Sequence, residues 1–176
     1  GFVVGSDLVM TNAHVVAGTS EVTVDSPNGP LVADVVLFDP EEDIAVLRVS
    51  QLQAPVLVFA PTPAESGTDA IVLGYPGGGP YTASPARIRE IINLSGPDIY
   101  RTGTVQREVY TVRGSVRQGN SGGPLVNSSG EVLGVVFGAA VDDPDTGFIL
   151  TASEIADELA QSFDSPVAVG TGDCIV

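Results

Sequence analysis

Gln118-Gly119-Asn120-Ser121-Gly122-Gly123-Pro124-Leu125 places a serine among glycines, just ahead of the apolar run Pro124-Leu125-Val126. Glycine tolerates backbone conformations that a Cβ forbids, so a serine flanked in this way can stand exposed on a tight turn. The same glycines let a substrate carbonyl approach the main chain, and the amides of Gly119 and Ser121 are then candidates to stabilise an oxyanion. A serine is a weak nucleophile without a base and a group that orients the base.

His14, in Thr11-Asn12-Ala13-His14-Val15-Val16, is the only histidine of the 176 residues. Chain order then separates the ways of assembling a serine, a histidine and an acid. Gly119-x-Ser121-x-Gly123 also fits a nucleophile elbow, but that arrangement runs serine, acid, histidine, and no histidine follows Ser121. The order acid, histidine, serine leaves only Asp7 ahead of His14. The remaining order is histidine, acid, serine, with the acid between residues 14 and 121.

Asp43 is the leading candidate for that acid. It opens Asp43-Ile44-Ala45-Val46-Leu47-Arg48-Val49, a mostly apolar run that reads as a buried strand. A carboxylate at the mouth of such a strand is partly desolvated and needs a partner, and an imidazole N–H suits it. Asp39 is the alternative. With Pro40, Glu41 and Glu42 it makes a turn signal, in which acids are ordinarily solvated.

An apolar fraction of 43% supplies a core, and a charged fraction of 16%, below the usual quarter, argues against disorder. Twenty-one glycines and 13 prolines scattered among short apolar runs predict many turns joining short strands. The expected layout is a β-rich unit over 1–60, a proline-rich link over 61–68 and a second β-rich unit over 69–150. A helix over 151–163 and a tail over 164–176 follow. Val56–Phe59 reads as one of the strands. Thr151-Ala152-Ser153-Glu154 has capping-box spacing, Ile155, Leu159 and Phe163 recur every four residues, and Pro166 ends the helix.

Net charge is −15, with seven arginines and no lysine, which disfavours nucleic acid and anionic lipid as partners. Arg87, Arg89, Arg101, Arg107, Arg113 and Arg117 fall in one third of the chain; they are expected to pair with acids on strand surfaces, or else to form a docking surface. No apolar run approaches the roughly 20 residues of a membrane span, so this stretch makes no direct membrane contact. No cysteine or histidine cluster suggests a metal, and no cofactor is expected. Gly1-Phe2-Val3-Val4 reads as the inside of a strand, so upstream sequence is expected. The single cysteine, Cys174, sits in the glycine-rich tail Gly170-Thr171-Gly172-Asp173-Cys174. An odd cysteine suggests a disulfide partner elsewhere and a compartment outside the cytoplasm.

Ala13-His14-Val15-Val16, Asp43-Ile44-Ala45-Val46 and Gly119-Asn120-Ser121-Gly122-Gly123-Pro124 together resemble the three active-site motifs of trypsin-like serine peptidases. The similarity extends over nearly the whole chain. It is strongest to the extracytoplasmic protease domains of actinobacterial membrane-anchored members. The resemblance implies an all-β fold of two six-stranded antiparallel barrels with a cleft between them and a C-terminal helix, the first strand lying ahead of this chain. It implies a serine endopeptidase in which Ser121 is the nucleophile, His14 the general base and acid, Asp43 the orienting acid, and Gly119 and Ser121 the oxyanion hole. Ser115 and Val116 would form the base of the substrate pocket, and Phe137, Gly138, Ala139 and Gly147 its walls. No group there is charged, so an uncharged side chain is expected to enter. The expected partner is a protein or peptide substrate.

In such relatives a second cysteine precedes the Gly-Phe-Val segment. A cleaved upstream piece is therefore expected to stay attached through Cys174, with an anchor in the cell envelope. Asn120 stands where animal digestive members carry an aspartate, so activation by a freed N-terminal amine is not expected. A catalytically latent or non-enzymatic module that binds peptide or a partner protein, and an esterase, are the alternatives.

Overall fold

A computed structural model describes residues 1–164 and 167–175. The chain forms two antiparallel sheets, in two compact units that cut the sequence discontinuously. The first unit comprises Gly1–Leu57, Gly96–Val105 and Ala156 onward; the second comprises Val58–Ser95 and Gln106–Ile155. The link over 61–68 thus packs with the second unit, and the C-terminal helix and tail with the first.

The first unit is a sheet of five strands, β1 (Phe2–Gly5), β2 (Leu8–Thr11), β3 (Val22–Ser26), β4 (Gly29–Asp39) and β5 (Ile44–Arg48). Their order is β1-β2-β5-β4-β3. Position explains the pattern of each strand. β2 and β5 lie inside the sheet; every residue of β2 is buried, as are Ile44 to Leu47 of β5. The edge strand β3 alternates half-buried and exposed side chains. Val9, Val16, Val35, Leu47 and Val49 make the core, each fully buried aliphatic side chain contributing roughly 1.5–3 kcal/mol of transfer free energy. Between β2 and β3 runs one helical turn, α1 (Ala13–Val16).

The second unit is a closed barrel of six strands in the order β10-β11-β8-β7-β6-β9. They are β6 (Asp69–Gly74), β7 (Thr82–Pro97), β8 (Thr104–Gly114), β9 (Pro124–Val126), β10 (Val132–Ala139) and β11 (Thr146–Thr151). Val72, Ile88, Tyr110, Leu125, Val136 and Ile149 fill it, with Ala60 and Ala64 of the proline-rich link packed alongside. That link is tied down by a hydrogen bond from the Ala64 N–H to the Tyr110 hydroxyl at 2.9 Å.

Two expectations need correction. Val56–Phe59 is not a strand: it is extended but pairs only through isolated contacts, with Leu57 N–H donating to Val3 C=O and Phe59 bridging Val132. Pro55 and Pro61 bound it, so a ladder could not run past either end. The C-terminal helix, α2, starts at Ala156, not at 151. Thr151 is the last residue of β11, and its Oγ1 accepts the Glu154 N–H at 3.1 Å. The Glu154 carboxylate, which a capping box would turn back to Thr151, instead accepts the Glu108 N–H at 2.8 Å. Phe163 of the expected apolar stripe is 56% exposed, although its ring lies over Gly5. The expected stop at Pro166 lies outside the described residues.

Candidate active site

In the first unit, His14 sits on α1 and Asp43 in the turn before β5. The Asp43 carboxylate grips the histidine twice. Oδ1 accepts the His14 main-chain N–H at 2.9 Å, and Oδ2 lies 2.7 Å from the ring Nδ1. An ionised carboxylate only accepts, so Nδ1 carries the proton and Nε2 keeps its lone pair for a substrate or nucleophile. Asp43 is 4% exposed, and both its oxygens are satisfied by these two donors, as a buried charge requires.

The backbone of Asp43 is left-handed, with φ of 59°, a region that costs a non-glycine residue roughly 1–2 kcal/mol. Buried Asn12 holds it there, donating from Nδ2 to the Asp43 carbonyl at 2.8 Å. Sequence reading missed this residue. An asparagine just ahead of a helix signals an N-cap, but Asn12 makes no capping bond: its Nδ2 is given to Asp43, and its Oδ1, the atom that would cap, is buried without a partner among the described residues. Asp39, the alternative acid, is engaged in its own turn, where Oδ1 accepts the N–H groups of Glu41 at 2.8 Å and Glu42 at 2.9 Å.

In the second unit, the serine loop has the local geometry its glycines dictate. Gly119 is left-handed at φ +93°, and a Cβ there would lie 2.3 Å from the Tyr75 carbonyl oxygen. Tyr75 N–H donates to Gly119 C=O and Gly77 N–H to Gln118 C=O, so the 75–78 turn backs the loop. The amides around Ser121 divide into two sets. Those of Asn120, Gly122 and Gly123 donate to Arg117, Val136 and Asn120 at 2.8–2.9 Å. Those of Gly119 and Ser121 donate to no protein acceptor among the described residues. Two free N–H groups beside a serine are what a developing oxyanion requires.

The residues expected at the substrate pocket are not all brought to one surface. Phe137 and Gly138 are half-buried and Ala139 is exposed; they end β10, beyond the reach of β9, which pairs no further than Val135. A bulge between Val136 and Gly138 sets Phe137 off the ladder, where it meets Phe148 and the buried guanidinium of Arg107. Val116 is buried in the barrel core, and Gly147 lies so close that a Cβ would come 2.3 Å from it. Ser115 lines a cavity of about 430 Å³ with Pro76, Gly77, Ser84, Arg117 and Gln118. Buried Asn120 accepts the Arg117 N–H through Oδ1 at 3.0 Å. Among the described residues, no three of His, Cys, Asp and Glu are grouped to hold a metal ion, and no helix is long and apolar enough to cross a membrane.

Residues 1–135 match the trypsin-like peptidase domain family. Serine protease Rv3671c of Mycobacterium tuberculosis (strain H37Rv) is 58% identical over 176 residues, 99% of this chain and 44% of that protein. The chain thus spans less than half the length of this relative. The crystal structure of the active form of the Rv3671c protease superposes with a TM-score of 0.96 at 58% identity, covering 100% of this chain and 78% of that one. A probable periplasmic DegP-like serine endoprotease of Halomonas elongata is 34% identical over 138 residues, 77% of this chain and 28% of its own length.

Proposed function

The chain belongs to the trypsin-like peptidase family, and from that membership we propose that it is a serine endopeptidase working through an acyl-enzyme on Ser121. In this reading Ser121 Oγ attacks the substrate carbonyl while His14 Nε2 takes its proton. The oxyanion is received by the free N–H groups of Gly119 and Ser121. His14 returns the proton to the leaving amine, and water then releases the acyl group by the same steps in reverse. Asp43 holds the tautomer and stabilises the imidazolium.

The observation that carries the reading is the double grip of Asp43 on His14, through main chain and ring together. It fixes both the position and the protonation of the imidazole, which a merely structural histidine does not need. The free end of β10 at Phe137–Ala139 supports substrate binding as an added strand. With Ser115, Val116 and Gly147, these residues would form the pocket for an uncharged side chain. The substrate is a protein or peptide.

The DegP-like similarity supports a site of action outside the cytoplasm. Anchoring by an upstream membrane segment, and a disulfide from Cys174 to a cleaved upstream piece, complete the proposal. Cys174 is exposed, with Sγ 3.7 Å from the Gly18 carbonyl oxygen. Incubation of the protein and its Ser121→Ala variant with an unfolded protein substrate tests the activity. Internal peptide-bond cleavage by the parent alone is expected, and equal fragment patterns, or none, would refute it.

A further inference from the structure

The cavity at Ser115, a residue also assigned to the proposed substrate pocket, carries donors that an uncharged substrate side chain does not use. Its polar side chains are Ser84, Ser115, Arg117 and Gln118, all able to donate hydrogen bonds, and no carboxylate lines it. Arg117 gives Nε to Ser115 Oγ at 2.9 Å, and its remaining guanidinium N–H groups meet no acid among the described residues. Ser84 and Gln118 likewise have no side-chain partner there. On the same loop the Asn120 Nδ2 is buried without an acceptor. Such a surplus of donors is unusual in a chain of net charge −15. Two other unit-two arginines have an acid nearby: Arg87 lies 3.6 Å from Asp69, and Arg89 lies 3.8 Å from Asp143.

The cavity is roomy and its floor is glycine. Gly77 has φ of +65°, with nothing within 4 Å of where a Cβ would stand, so a ligand can approach the backbone. About 430 Å³ accommodates one or two amino-acid residues, at the small end of ligand pockets. It does not include Phe137, Gly138, Ala139 or Gly147, the walls expected for the substrate side chain.

We propose that this cavity is a second binding site, for a carboxylate group carried by a peptide, seated on the Arg117 guanidinium and the Ser84 hydroxyl. A planar guanidinium fork binds a carboxylate in two parallel hydrogen bonds. The position gives the site a consequence, one that rests on the peptidase reading. Gln118, which lines the cavity, and Gly119 after it accept the N–H groups of Gly77 and Tyr75 and lead directly to Ser121 in the chain. A ligand spanning Gly77 and Arg117 would therefore brace the turn that presents the Gly119 amide.

The test uses the Ser121→Ala protein, so that binding is read without turnover and does not depend on the proposed activity. Three acetylated tripeptides serve as probes: Ala-Ala-Asp amide, Ala-Ala-Asn with a free C-terminus, and Ala-Ala-Asn amide. Saturable binding of either acid at about 1 mM or tighter is expected, with amide shifts at residues 76–84 and 115–119 and none for the neutral peptide. Which acid binds tells a side-chain carboxylate from a chain terminus. Arg117→Gln, checked for unchanged melting, is expected to weaken binding about tenfold or more, and Ser84→Ala less. Equal binding of the neutral peptide, shifts confined to 137–147, indifference to Arg117→Gln, or no binding of either acid would overturn the proposal.

Discussion

The carboxylate of Asp43 holds His14 at two points, 2.9 Å from its main-chain nitrogen and 2.7 Å from its ring. The ring contact alone would leave the helical turn free to shift; the main-chain contact locks α1 to the start of β5. Position and tautomer of the His14 ring are thus set by one buried acid. Asp43→Asn keeps the size but offers an amide where an acceptor is needed, which favours the wrong tautomer. A drop in kcat of about 10⁴ is expected, with little change in KM. Steady-state kinetics on a peptide ester and a peptide amide check it.

Asp39→Ala is expected to behave in the opposite way. It removes the acceptor of the Glu41 and Glu42 N–H groups and touches nothing else of the site. Stability should fall by about 1 kcal/mol, as for a lost cap, with kcat/KM within twofold of the parent. Urea unfolding and kinetics on the same preparation separate the two effects.

Gly119→Ala confronts both a left-handed φ and a Cβ 2.3 Å from the Tyr75 carbonyl oxygen. The loop must move, and the Gly119 amide moves with it. A loss of at least about 10² in kcat is expected, comparable to removing one oxyanion donor. Gly130→Ala is the control: it too has positive φ, but nothing lies within 4 Å of its Cβ position, so it carries strain without displacing the oxyanion loop. Parent-like kcat in Gly119→Ala would sink the assignment of that amide.

Burial raises the pKa of Tyr110, whose hydroxyl also accepts the Ala64 N–H. Because the folded value lies above the unfolded one, the contribution is intact below the ordinary tyrosine value of about 10 and is lost as pH rises through the folded value. Tyr110→Phe should lose about 1 kcal/mol at neutral pH by orphaning the Ala64 N–H. It should also flatten the decline in melting temperature above pH 10. An unchanged alkaline decline in the variant would contradict this.

Local sequence marks a lone histidine, an acid at the head of an apolar strand and a serine between glycines as candidates, and of these the structure joins His14 to Asp43. The strand-rich architecture follows from the same short-range patterns. What could not be read are contacts between distant segments. Asn12 serves Asp43, 31 residues away, while its place in the sequence advertises a helix cap. Glu154 leaves its capping box for the Glu108 main chain, 46 residues away, so the helix begins five residues late. The family resemblance implies Val116 and Gly147 as pocket residues, but only the fold shows how closely they pack on each other. Arg117 reads as one of a run of surface charges; only the fold shows it without an acid partner among the described residues.

The central claim is that Ser121 is an activated nucleophile. Intact mass spectrometry after treatment with a fluorophosphonate, beside the Ser121→Ala variant, tests it most directly. One adduct per chain, absent from the variant and slowed strongly by Asp43→Asn, is the predicted result. An unmodified parent chain, or an adduct that survives Ser121→Ala, would contradict the account.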